Sequence, residues 1–171
     1  MSLLSCLLAT AGIPLLLFGE TDSLAKILSL YEGRWVGHFT IHSPATGFTE
    51  TFPVEQQYWF QDGVLHGVSV SQRDGGIESA RSSTRIEDGR YLSEIKRSDK
   101  TTERFVGAVH EKGIVWVPAN LDRAHDYQIK ESFALEEGQR LLLTEGFDTY
   151  ITADGLAHLV YRGRLERRSE P

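Results

Sequence analysis

Glu131 is the acid in this sequence whose surroundings could give it unusual chemistry. It alternates with Tyr127, Ile129 and Phe133, so a strand here places one carboxyl among aromatic and branched apolar side chains. A carboxyl enclosed that way titrates high and can serve as a pocket acid or as a polar anchor. The same pattern also describes an outward face with scattered aromatics. His66, between Val64 and Val68, reads as a hydrogen-bonded core or rim histidine or as a ligand contact. His38 and His42 are four apart on a strand, about 13 Å by strand rise, too far to chelate one metal. None of the six histidines has zinc-site spacing, and the single Cys6 excludes an intrachain disulfide and any site built on several thiolates. No Gly-x-Ser-x-Gly elbow and no phosphate-cradling glycine loop occurs. These readings point to binding rather than catalysis, with no catalytic residue, metal or cofactor expected.

The aromatics suggest what is bound. Phe39, Tyr58, Phe60, Tyr91, Phe105, Trp116, Tyr127 and Phe133 all lie on alternating runs. Pointing inward with Val68, they would line or fill a lumen, and Gln56, His66 and Glu131 would supply its polar groups. A small apolar molecule is the partner this implies. A nucleic acid is not expected, because the net charge is -6 and no basic block interrupts it.

The elements that must position these residues follow from the pattern. Met1 to Gly19 carry no charged side chain, which reads as an apolar leader over residues 1–20 ahead of a single domain over 21–171. The leader implies export to a periplasmic or extracellular location; a cytoplasmic chain with an apolar arm on the domain is the alternative. After removal of the leader, no transmembrane segment is expected. Thr21-Asp22-Ser23 offers N-caps, Leu24, Ile27, Leu28 and Tyr31 form one helical stripe, and Gly33 ends the helix. So short a helix needs something to plug, and a barrel end is suitable.

From Trp35 onward the period is two. Trp35, Gly37, Phe39 and Ile41 share one face. Phe52, Val54, Tyr58 and Phe60 do so on the next run, where Pro53 suggests a bulge or edge. Val64, His66, Val68 and Val70 share a face on the third. Turn signals at Asp62-Gly63, Gly75-Gly76, Asp88-Gly89, Lys112-Gly113, Glu137-Gly138 and Asp154-Gly155 separate further strand-like runs. The predicted fold class is all-β: an antiparallel up-and-down β-barrel of about 8–10 strands with one short N-terminal helix. Pro118 to Asp126, with Asn120, Asp122, Arg123 and His125, reads as a polar turn or a loop over the mouth.

A short helix, then Gly33-x-Trp35-x-Gly37-x-Phe39, then a meander of hairpins resembles the lipocalin-like, or calycin, superfamily, including bacterial lipocalin-like proteins of unassigned function. The resemblance implies that Trp35 closes the base of the barrel and that an arginine near the chain end packs across its ring. Arg162, Arg164 and Arg167 are the choices, with Arg164 expected. It also implies binding or transport of a small hydrophobic ligand. The chain lacks the disulfide cysteines of secreted lipocalins. The Gly-x-Trp-x-Gly opening is also similar to heme-binding barrels of the nitrobindin type, which would make His158 the proximal ligand. A filled barrel with a structural or interaction role is a further alternative, and an isomerase or lyase using the pocket as a reaction vessel is another.

Overall fold

The computed structural model describes residues 18–169 apart from 124, 153 and 154. Helix α1 (Phe18–Ser29) precedes ten strands: β1 (Gly33–His42), β2 (Thr49–Gln61), β3 (Val64–Arg73), β4 (Gly76–Glu87), β5 (Arg90–Arg97), β6 (Thr102–His110), β7 (Gly113–Pro118), β8 (Tyr127–Glu136), β9 (Gln139–Thr152) and β10 (Gly155–Arg168). Each strand pairs antiparallel with its sequence neighbour, and β10 returns to pair with β1, so the meander closes on itself. Closure removes the open edges that a sheet of this length would otherwise expose.

Local chemistry explains the hairpins. At the helix end of the barrel, Asp62-Gly63, Asp88-Gly89 and Glu137-Gly138 all have positive φ at both positions. That is the type I′ geometry, whose twist matches the strands it joins. Pro53 pairs with His38 of β1 on one side only; the β2–β3 pairing starts at Val54, so β2 has a local edge where the expected proline stands.

The helix differs from its sequence reading. Thr21, Asp22 and Ser23 lie inside it rather than capping it, and it ends at Ser29 rather than Tyr31. Leu30, Tyr31 and Glu32 then donate to carbonyls three residues back, a tighter closing turn. The expected leader lies outside the described residues except for residues 18–20, the first turn of α1. The helix plugs one end of the barrel. Leu24, Leu28 and Tyr31 are buried in one cluster with Trp35, Tyr91, Ile114, Leu142 and Leu165. Hydrogen bonds fasten this plug: Tyr91 Oη donates to the Leu24 carbonyl at 2.9 Å, and Trp35 Nε1 donates to the Tyr31 carbonyl at 2.6 Å.

Trp35 is completely buried at this end, but Arg164 does not cross its ring. Gly163 and Leu165 turn inward on β10, so Arg164 projects outward and pairs with Glu136 at 2.9 Å on the surface. Arg162 is exposed too. The arginine opposite Trp35 in register is Arg167, whose guanidinium lies against Gly33, where an added Cβ would sit 2.9 Å from its Nε. Gly33 itself has φ 115°, which side chains resist, so its place at the head of β1 rests on both backbone and space.

Truncating Trp35 to Ala should cost about 3–5 kcal/mol, the usual range for a buried aromatic. Arg164→Ala should leave the urea midpoint unchanged, because its partner is a solvated surface carboxylate. Melts of both single variants and the double variant check this. A large coupling between them would contradict the outward placement of Arg164.

Candidate functional site

Above the plug, the barrel encloses a chamber of about 280 Å³. It opens toward a mouth region of about 300 Å³, with which it shares Phe39, Gln56, Ser69, Arg97, Tyr127 and Ile129. A larger cleft of about 680 Å³ lies at the helix end. Arg140, Arg167 and Arg168 line that cleft, and of the chamber walls it touches only Tyr58.

The wall makes room for its aromatics by pairing them with glycines. Phe39 is opposite Gly163, Tyr58 opposite Gly67, and Trp116 opposite Gly107. A Cβ on any of these glycines would come to 2.6 Å from the facing ring. Three large rings can therefore lie along the wall instead of filling the centre.

Glu131 is deep in the chamber. Its Oε2 accepts from Tyr31 Oη and from Trp116 Nε1, each at 2.8 Å. Its Oε1 takes no hydrogen bond among the described residues, and what accessible surface it keeps faces the chamber. Burial pushes the Glu131 pKa above the usual carboxylate range, and the two donors on Oε2 only partly oppose this. Tyr31 is raised well above an ordinary phenol, first by burial and then by the neighbouring carboxyl; Tyr58 is raised for the same two reasons. Opposite Glu131 on β9 is Thr144, 3% exposed, whose Oγ1 is buried with no hydrogen-bond partner. Thr84 Oγ1 and Ser93 Oγ pair with each other at 3.0 Å on the wall.

Nearer the mouth the charges are compensated. Arg97 is held by Glu103 at 2.7 Å, Arg123 by Asp148 at 2.7 Å, and Arg73 by Glu50 and Glu78. Arg123 belongs to the predicted loop, where Leu121–Arg123 forms a short 3-10 turn. Among the described residues, no cluster of three or more potential metal ligands occurs.

Of the residues singled out from sequence, Phe39, Gln56, Tyr58, Phe105, Trp116, Tyr127 and Glu131 line the chamber. Tyr91 and Phe133 do not. Tyr91 is completely buried in the plug cluster, where burial raises its pKa to about 12, and Phe133 packs edge-on to Tyr31 at 4.8 Å. Phe60 shares the inward parity of β2 but sits past the wall, 37% exposed. His66 is on the outer surface, stacked on Trp59 at 5.9 Å.

Strand β3 has the opposite facing from its sequence reading. Tyr58 points inward and pairs with Gly67, so Leu65, Gly67 and Ser69 face in, and Val64, His66, Val68 and Val70 face out. Val68 borders the chamber only as part of the wall, since its register partners are the outward Gln57 and Arg81. His158 is outward as well, bonded to Thr149 Oγ1 at 2.8 Å and packed on Phe147, because Leu159 and Tyr161 take the inward positions. It does not present a ring nitrogen to the lumen, so the residues here do not fit the heme arrangement. Sequence reading missed Tyr31 and the hydroxyls Ser69, Ser82, Thr84, Ser93 and Thr144. Tyr31 was legible only as helix core. The hydroxyls carry no hydrophobic signal that marks an inward face.

No family model matches this chain, and no curated protein matches it. Among solved structures, it is similar to a de novo designed fluorescence-activating β-barrel, with 16% identity over 82% of this chain and 96% of that one, at a TM-score of 0.38.

The raised pKa of Glu131 has a definite sign. The folded chain binds this proton more tightly than the unfolded chain does. The resulting stability is complete below the unfolded carboxyl range and is lost as pH rises through the folded pKa. Gln keeps an acceptor for Tyr31 and Trp116 without ionising. Glu131→Gln should therefore gain stability over the wild type as pH rises from 4 to 8, measured by urea melts at each pH. A difference that does not change with pH would contradict a buried, uncompensated carboxyl.

Proposed function

We propose that this barrel binds a small molecule in its lumen, with an apolar body against Phe39, Leu65 and Phe105 and a polar group directed to Glu131. The observation that carries this reading is a chamber whose floor holds one buried hydroxyl with no hydrogen-bond partner among the described residues, Thr144 Oγ1, beside the carboxyl of Glu131, which is bonded through Oε2. Buried polar groups of this kind are ordinarily satisfied. Leaving Thr144 open beside a carboxyl in one chamber is what a ligand, or water displaced by one, would answer. A barrel serving only as a structural part would gain more from a packed interior.

The ligand expected from sequence is a small apolar molecule met by a few polar groups. The hydroxyl-lined wall supports an amphipathic one instead. Binding without turnover is part of the proposal. Binding or transport after export is its biological form. This rests on the charge-free run of residues 1–19, and N-terminal sequencing of secreted protein checks it.

Native mass spectrometry of protein purified from its own host tests the binding directly. The wild type should carry a co-purified small molecule, and Ser82→Phe, which fills the chamber, should not. Bare protein that also fails to take up an apolar fluorescent dye would contradict the proposal.

A further inference from the structure

The chamber floor holds a carboxyl that no cation among the described residues pairs with. Among the described residues, no Lys, Arg or His pairs with Glu131; its only partners are Tyr31 and Trp116. The cation that reaches highest into the chamber wall, Arg97, is already held by Glu103. Several acids nearer the mouth and on the surface have cationic partners: Glu50 with Arg73, Glu94 with Arg104, Asp148 with Arg123. Glu131 differs in being deep inside and matched only by neutral donors on one oxygen.

Its surroundings are aromatic. Tyr31 meets Tyr58 edge-on at 5.7 Å, and Trp116 lies at 6.1 Å from Tyr91. Ring faces attract a cation, most strongly when both are shielded from water. Among the described residues, Thr144 Oγ1 is buried without a hydrogen-bond partner and Glu131 accepts only through Oε2; the two residues are opposite each other in the β8–β9 register. Both can accept a hydrogen bond, and a group with several N–H donors satisfies both at once. A carboxylate or phosphate ligand would instead bring a second negative charge against Glu131 in a desolvated site.

From this arrangement we infer that the chamber selects a small organic amine, held as its ammonium ion between Glu131, Thr144 and the aromatic walls. The inference rests on the lumen-binding reading above and specifies its ligand class. A charge-assisted hydrogen bond to the carboxylate supplies the selectivity, and the apolar upper wall accommodates the hydrocarbon part. Gln56, whose Oε1 accepts from Tyr58 Oη at 3.3 Å, occupies the wall between floor and mouth.

The test uses calorimetry on the whole chain with three probes of one shape: phenethylamine, 2-phenylethanol and 3-phenylpropanoate. An uncharged apolar dye reports separately on lumen access. Phenethylamine should bind at least tenfold more tightly than the alcohol, and the carboxylate should bind weakest. Glu131→Gln should remove the preference, bringing the amine to the affinity of the alcohol in the same variant. Glu131→Asp, which keeps the charge, should retain a preference for the amine. Equal affinities for the amine and alcohol, or tighter binding of the carboxylate, would overturn the inference while leaving lumen binding in place. Dye uptake with no amine binding would do the same. Failure of the dye and all three probes would overturn both readings.

Discussion

A buried carboxyl is expensive to keep unless hydrogen bonds replace the water it has lost. At Glu131 those bonds come from two different parts of the chain. Tyr31 belongs to the plug segment after α1, and Trp116 belongs to β7. The same Tyr31 offers its carbonyl to the Trp35 indole, which fixes the head of β1. The plug, the first strand and the chamber floor are thus joined through one tyrosine. A shift of the helix would withdraw a donor from Glu131 and an acceptor from Trp35 together.

The barrel wall has a complementary constraint. Ten strands enclose more volume than their inward side chains fill, provided the large rings lie along the wall. Glycine supplies the space for this at Gly67, Gly107 and Gly163, each opposite an aromatic residue. At Gly37 a side chain would instead meet the backbone of β10 itself, so this glycine serves the close approach of the closing strands. Small residues in this sequence therefore do two jobs: one shapes the chamber and the other closes the barrel.

Much of this architecture is legible in the sequence. The I′ turn signals at Asp62-Gly63 and Asp88-Gly89 placed strand ends to within a residue or two, and the alternation around Trp35 and Phe52 put the correct residues inside. Glu131 stood out because its neighbours two residues away on either side are apolar. The facing of β3 was not legible. Its valines are β-branched and suit a strand on either face, whereas Gly67 and Ser69, which face inward, resemble surface residues by composition. The same bias hid the hydroxyls of β4, β5 and β9. Arg164 failed for a related reason: the resemblance specified an arginine near the chain end, but only the β1–β10 register shows that Arg167 is opposite Trp35.

The central feature of the site is that Glu131 lies inside the chamber with no countercharge among the described residues. Carboxyl carbon chemical shifts followed by NMR across a pH titration of the free protein measure this at the residue itself. The account expects the Glu131 resonance to titrate at distinctly higher pH than those of surface glutamates such as Glu94 and Glu136, whose arginine partners hold them below the usual range. A Glu131 midpoint among or below those surface residues would show a solvated or ion-paired carboxyl and contradict the account.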